Sequence, residues 1–508
     1  MRHVIRPAVW LSLATVAGQI VALAIQLLIA SLFGAGRQMD AYLAASTLPV
    51  YVAAIAVGGL GFVLIPLFTG YQERRDEQAA WGLASNVTGV FVVVLMLLSA
   101  TGVAAAHPLL RLTVPGLSED SLELATRLAR VIWVTVFFGG LVALWTGLYQ
   151  ARRQFAVPAL VPLVGSLLIL VALAGWGRGH DIRFLAIALT ATSGVQACLL
   201  LAGLLKRLRF RLNPADAGLR EMARLLWPLV VASIFGQAPR LVDRFVASHL
   251  ASGSISHLGY GDKLASLAAT ALSGGIAVVI FPIFSRHAAQ DELGGLRQSI
   301  GAGLRLVFVV VAIAAGMGVA LARPLIGTLL QRGEFTAADT AAVAEVLPGY
   351  MVAMLAMALG NVIGRAFYAL KDTRTVAYTE IPLVLAYMIY TPWLAMHRGT
   401  VGISGAVAFY WNSSLAVLMV ILWYRLGRPA LAHTLLALIR MGAAAVVAGA
   451  AAHAAASVLP TPWQALVVGG AVGVAAYGLL LWLLRVEEFR QMVGLAQAWS
   501  ARAAGASH

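Results

Sequence analysis

The sequence predicts an all-α polytopic membrane protein of fourteen transmembrane helices: two parallel six-helix repeats forming two lobes, followed by two C-terminal helices. Three observations carry that prediction. Of the 508 residues, 61% are hydrophobic and only 11% charged, against about 45 to 50% and 25% in globular domains. Apolar stretches near the ~20 residues a helix needs to cross hydrocarbon recur from Val9 to Trp482, unbroken rather than alternating, which argues for helices and against a barrel. Finally, Gly58–Phe68 matches Gly274–Phe284 at a displacement of 216, Ala30–Gly36 matches Ala247–Gly253 at 217, and Tyr149–Val157 matches Tyr368–Val376 at 219.

Taken in order, the spans at 9–33 and 41–69 are joined by the tight loop Gly34–Asp40. The first follows Arg2 and Arg6 but is too long for a signal-peptide core and lacks a small-residue cleavage site, so it is read as retained. Spans at 81–106, 124–150, 157–177 and 184–205 complete an N-lobe, 1–205, and a basic cytoplasmic linker, 206–225, carries the turn signal Asn213-Pro214. The C-lobe, 226–426, repeats the series at 226–250, 257–284, 299–322, 341–367, 375–396 and 402–424. Spans at 433–457 and 463–484 fill 427–484, and 485–508 is a cytoplasmic tail. In that tail Val486, Phe489, Val493, Ala496 and Trp499 share a helical face, suited to an interfacial or a plain surface helix. Six spans separate the copies, so both run the same way through the bilayer, an arrangement that places substrate between two lobes.

With both termini in the cytoplasm, inside segments hold 21 Lys and Arg and outside segments seven. The net charge of +15 is therefore a topology signal and not a nucleic-acid footprint. The single cysteine, Cys198, can form no intramolecular disulfide, and a monomer is expected. There is no H-E-x-x-H, G-x-S-x-G, P-loop or Cys cluster, so a transporter is expected rather than an enzyme, with no cofactor. The sequons at Asn86 and Asn412 fall inside spans and carry no message. Gly58, Gly59, Gly61, Gly274 and Gly275 lie in membrane helices, where close packing and bending are their expected uses.

The functional candidates are charges placed where hydrocarbon penalises them. Arg240, Asp243, Arg244, Asp262 and Lys263 fall in one hairpin, and each costs at least about 2.5 kcal/mol at mid-bilayer unless paired or hydrated. An internal ion pair of Asp243 with Arg240 or Arg244 is the plainer alternative. Helical spacing sets Ser12, Thr15, Gln19 and Gln26 on one face, Ser233, Gln237, Arg240 and Arg244 on another, and Lys263, Ser266, Thr270 and Ser273 on a third; Ser46, Thr47 and Tyr51 add to these. Arginine forks and a lysine point charge suit diphosphate oxygens, so an amphiphile with an anionic head is the expected ligand of a central cavity. Arg127 and Arg130, beside Glu123, offer an exit contact or snorkel to headgroups. Asp243, Glu345 and Glu380 are acidic candidates for sodium or proton coupling, with Asp243 and Glu380 the chosen pair.

These residues bring a family into view. Phe33-Gly34-Ala35-Gly36, Asp40-Ala41 and Leu48-Pro49 resemble the opening of the MviN/MurJ lipid II flippases of the MOP exporter superfamily. So do Leu250-Ala251-Ser252-Gly253-Ser254 with Tyr260 and Asp262-Lys263, Gly333-Glu334-Phe335-Thr336, and Phe367-Tyr368 with Lys371-Asp372. The resemblance implies a V-shaped flippase, a groove for the polyprenyl tail on spans thirteen and fourteen, Asp40 and Asp262 beside the substrate cavity, and alternating access driven by Na+, H+ or membrane potential. It departs at Gln19, Ile25 and Val50–Val57, where the family's cavity arginines are missing; Lys263 matches, and Arg240 and Arg244 stand where neutral polar residues are usual. The expected substrate is an undecaprenyl-diphosphate-linked saccharide, lipid II or an exopolysaccharide repeat unit, moved across the bacterial inner membrane. A cation-coupled drug or small-solute exporter of the same superfamily is the alternative.

Overall fold

The computed structural model describes residues 2–73, 76–290, 292–370, 372–426, 429–490 and 494, with every side chain among them except those of 2–16, 274–279, 373, 377 and 429–433. Arg74, Arg75, Lys371, Arg428 and Arg502, together with Val493, Ala496 and Trp499 of the tail face, lie outside the described residues, and of Arg2, Arg6, Ser12, Thr15, Gly274 and Gly275 only the backbone is described.

Among the described residues every regular element is an α-helix, and the helices form two matching series. α1 (Arg2–Phe33) answers to α10 (Ala217–Ser248), each of 32 residues. α2 (Arg37–Val57) and α3 (Leu60–Glu73) answer to the continuous α11 (Ser254–Ala289). α4 (Glu77–Ala104) and α5 (Ala106–Thr113) recur 216 residues later, at both ends, as α12 (Leu293–Ala320) and α13 (Ala322–Leu329). α6 (Glu119–Ile132) and α7 (Val134–Ala151) recur 218 residues later as the single α14 (Ala337–Ala369). α8 (Ala156–Trp176) and α9 (Ile182–Ala202) answer to α15 (Thr373–Leu426), whose Gly399 takes a φ of 56° that only glycine adopts readily, dividing it into two spans. α16 (Pro429–Ser457) and α17 (Pro462–Leu483) stand outside the series. Among the described residues eleven helical stretches meet the length and hydropathy of a span. The one covering α15 holds two spans, and α1 and α11 complete the fourteen expected.

Local chemistry sets where several helices begin. Asp76, Asp181 and Asp216 each precede a helix and accept a backbone N–H of its first turn, from Ala79 at 2.7 Å, Arg183 at 2.9 Å and Leu219 at 3.1 Å, which satisfies donors that a helix start leaves without partners.

The chain forms two compact units, Met1–Ser256 with Arg332–Thr336, and His257–Gln331 with Ala337–His508. The first has a core of Leu64, Phe68, Leu144 and Leu148, with Phe68 edge-on to Trp81 at 5.4 Å. In the second, Phe284, Val362, Phe367 and Tyr387 are buried, and α16 and α17 meet through small residues: Ala452, Ala456 and Ala465 surround Leu321. Small faces let helix backbones approach where lipid supplies no hydrophobic drive.

Two boundaries differ from the expected ones. Residues 226–256 belong to the first unit, not to the second, because α10 packs on the break between α2 and α3, where a Cβ on Gly59 would come within 2.9 Å of Leu229 Cβ. And the stretch 206–213 is no free linker. Asn86 on α4 accepts from the Asn213 N–H at 2.7 Å and donates to its carbonyl at 2.9 Å, Ser85 accepts from the Arg209 N–H at 3.1 Å, and the Arg211 carbonyl lies on Gly89, where any Cβ would collide with it. Residues 217–225 are already the first turns of α10.

Candidate functional site

Within the first unit the polar face of α10 is the strongest candidate. Pro228 and Pro239 interrupt its hydrogen-bond ladder, and Tyr51 of α2 donates to the Ile234 carbonyl at 3.0 Å. Directly after Pro239, Arg240 is exposed; its Nη1 donates to Gln237 Oε1 at 3.1 Å, and it makes no ion pair among the described residues. One turn on, half-buried Arg244 donates Nη1 to the Ile255 carbonyl at 2.7 Å, so part of its fork is spent on the start of α11. Asp243 between them is half-buried and engaged. Gln19 and Gln26 are half-buried on α1, which packs along α8.

Most hydroxyls of the expected stripes turn back on their own helices. Ser46 and Thr47 both donate to the Leu43 carbonyl, Thr270 to Ser266 and Ser273 to Ala269, at 2.7–3.0 Å. What remains for a ligand among the described side chains of the stripes is Ser233, the glutamines and the cations.

Asp40 has a different task from the one expected of a cavity residue. It is 4% exposed, and its carboxylate accepts the Gly253 N–H at 2.5 Å and the Ser256 N–H at 2.7 Å. The Ser256 hydroxyl donates to the Ala35 carbonyl at 2.6 Å, tying the loop before α2 to the first turn of α11. Nearby, Gly333 and Gly34 have no side chain to obstruct the backbone contact in which the Glu334 N–H donates to the Ser31 carbonyl at 3.0 Å. Arg37 pairs with Asp120 at 2.8 Å; Arg127 pairs with Glu123, leaving Arg130 exposed one turn on.

In the second unit Lys263 is exposed, with no ion pair or hydrogen bond among the described residues, and half-buried Asp262 accepts from Ser266 at 3.4 Å. Glu380 accepts from the Tyr410 hydroxyl at 2.5 Å and the Ser414 hydroxyl at 2.9 Å, beside the ring pair Tyr387–Tyr410 at 5.3 Å. Glu345 is exposed. Among the described residues no group of three His, Cys, Asp or Glu is placed to hold a metal ion.

Two features escaped sequence reasoning. Arg305, well inside α12, pairs with Glu488 at side-chain exposures of 16% and 12% and also donates to Thr434 at 3.1 Å. Its partner lies far along the chain, so only the cost of a lone arginine in a span could have signalled the pair. Asn86, dismissed as a sequon, clamps residue 213 through both its amide atoms.

The family model described as lipid II flippase MurJ matches residues 29–472. A probable lipid II flippase MurJ of Vibrio cholerae is 26% identical over 435 residues, covering 82% of each chain. One from Synechocystis is 27% identical over 413 residues, 77% of this chain and 76% of its own. Among solved structures, a lipid II flippase MurJ in an inward closed conformation aligns with a TM-score of 0.81 at 17% identity, over 96% of this chain and all of that one. An inward-facing MATE multidrug transporter of the MOP superfamily aligns at 0.67 and 16% identity, over 80% of this chain and 94% of its own. At such identities the structural matches speak for the fold alone.

Proposed function

The chain belongs to the lipid II flippase MurJ family, and from that premise we propose that it carries lipid II, an undecaprenyl-diphosphate-linked glycan, from the inner to the outer leaflet of the cytoplasmic membrane by alternating access. It is a multi-pass inner-membrane transporter and not an enzyme. The drug-exporter alternative rests on MATE neighbours that share only the fold at 16% identity, and no observation favours an exopolysaccharide unit over lipid II.

The observation that carries the substrate reading is Arg240, an exposed arginine within an apolar span whose one hydrogen bond among the described residues is to Gln237. A cation in that setting needs an anion or water, and a diphosphate supplies the anion. We assign Arg240, the remaining donors of Arg244, and Lys263 to the diphosphate, with Gln19, Gln26 and Gln237 reading the sugar and Asp262 orienting Lys263. Asp40 serves α11 rather than the ligand. Arg130 is the remaining exit contact, since Arg127 is held by Glu123. Asp243 and Glu380 are assigned to cation coupling; a carboxylate already cradled by two hydroxyls suits Glu380 to exchanging a proton or sodium ion. The transporter works as a monomer with both termini in the cytoplasm and a tail groove on α16 and α17.

Flipping of fluorescent lipid II in proteoliposomes tests the assignment. Arg240→Ala and Lys263→Ala each lower the rate about tenfold or more, the worth of one charge-assisted hydrogen bond of roughly 1.5–3 kcal/mol. Rates unchanged in both would remove the cavity assignment. Rescue of a strain depleted of its own lipid II flippase tests the substrate, and failure with the protein well expressed would point to another glycan.

A further inference from the structure

In the first unit a cavity of about 360 Å³ lies between α4, α7 and α9, walled by Thr88, Val92, Phe138, Leu141 and Leu201. In the second unit a cavity of about 400 Å³ is walled by Leu304, Phe308, Ala356, Leu359 and Val420. Residue by residue these are the same places in the repeat: the displacement is 216 from α4 to α12, 218 from α7 to α14 and 219 from α9 to the second half of α15. Both volumes fall in the range of about 300–1,000 Å³ that holds small ligands.

The two differ in chemistry. Thr88 Oγ1 and Trp145 Nε1, both in the wall of the first cavity, are buried and find no hydrogen-bond partner among the described residues. Their counterparts, Leu304 and Ile363, have nothing to donate. Buried donors are almost always paired, so two orphaned on one cavity mark a place where an acceptor arrives. At the rim, Leu205 and Phe210 are 61% and 71% exposed, and Arg209 beside them is exposed with no ion pair among the described residues. The Ser85 bond to its backbone N–H and the seat of Arg211 on Gly89 hold this rim in place. In the second unit α16 lays Leu435 and Leu438 against the equivalent cavity, and Arg305, the counterpart of Gly89, is spent on Glu488 and Thr434.

We propose that the first cavity is a binding site for one acyl chain of an anionic phospholipid from the leaflet that borders the basic segment 206–213. The apolar wall takes the chain, Thr88 and Trp145 donate to its ester carbonyl, and Arg209 holds its phosphate. Hydrocarbon wall, unpaired donors and rim cation follow the order of chain, ester and phosphate in such a lipid. The second cavity has donors in its wall, Asn412, which is bonded to the Ala408 carbonyl, and Trp423, but neither is a buried donor without a partner and no unpaired cation stands at its rim among the described residues, so it accepts a chain with little preference for the head.

The test uses the full-length protein in phosphatidylcholine nanodiscs with a trace of phosphatidylglycerol bearing a diazirine in its acyl chain, and maps the label by peptide mass spectrometry. Label is expected on 137–145 and 197–205. Thr88→Val and Arg209→Gln should each lower it about three- to tenfold, the loss of one hydrogen bond. Leu201→Trp should abolish it while label near Leu359 and Val420 persists, which also shows that the variant has folded. Equal labelling by a phosphatidylcholine probe would overturn the anionic preference. Displacement by undecaprenyl phosphate but not by unlabelled phosphatidylglycerol would give the cavity to a polyprenyl chain. Label unaffected by Leu201→Trp would remove the site.

Discussion

Replacing Asp40 with alanine takes the acceptor away from two amides at once. The carboxylate is buried and bonds the Gly253 N–H at 2.5 Å and the Ser256 N–H at 2.7 Å. A buried donor left without a partner costs about 1–3 kcal/mol, and loss of a helix cap about 0.5–2 kcal/mol. With some relaxation of the loop, the first turn of α11 should lose about 2–3 kcal/mol, which is roughly a 30- to 150-fold rise in its opening equilibrium. Hydrogen exchange read by mass spectrometry on a peptide covering 253–260, in detergent, measures that rise directly. Asp40→Asn keeps one acceptor oxygen and should lie between wild type and alanine. Exchange in Asp40→Ala within threefold of wild type, with the peptide well covered, would refute the assignment of Asp40 to α11 and return it to the list of cavity residues.

Other outcomes follow from neighbouring contacts. Asn86→Ala deletes both hydrogen bonds to Asn213, so trypsin should cut after Arg209 or Arg211 about tenfold faster or more, as expected for about 2 kcal/mol; an unchanged rate would mean that the Gly89 seat alone holds the segment. The Thr375 hydroxyl and N–H, with Arg425, hold the Asp372 carboxyl below its usual value at the start of α15. A depressed carboxyl contributes stability fully above the ordinary value near ~3.9, and loses it as pH falls through the depressed one. Arg425→Gln should therefore move the loss of exchange protection at 374–378 to higher pH, towards the ordinary value; an unmoved midpoint would show that Thr375 alone sets it.

The parts of the fold that depend on bilayer physics were legible. Span positions follow from runs of apolar residues, and the repeat surfaced at three short matches before it emerged in the helix boundaries throughout. Partnership was harder to read. Nothing in the hydropathy of α10 says that its neighbours are α2 and α3, because a lipid-facing and a helix-facing leucine look alike in sequence; the fit of Leu229 to Gly59 decides it. Acidic residues misled for a related reason. The resemblance sets Asp40 beside the cavity, yet its carboxylate is taken up by backbone amides at a helix start, which satisfy it as well as a ligand would. Arg240 and Lys263 are exposed, and neither makes an ion pair among the described residues.

The matched helices also say where this architecture can change. α4 and α12 are each 28 residues long and α5 and α13 each 8, although few side chains agree between them. The displacement between the copies alters instead from one helix to the next, 215 at the ends of α1 and α10, 216 for α4 and α12, and 218 at the ends of α6–α7 and α14. Membrane thickness acts as a gauge on each rod and leaves its side chains free to diverge, while a joint absorbs an extra residue for a small entropic cost. An engineer grafting a tag or a reporter would choose the exposed joint at 152–155, since 34–36 is bonded to the start of α11 and Gly116 sits against Ser248. A segment exchanged between the halves should be cut at helix ends, where the two copies already share one measure.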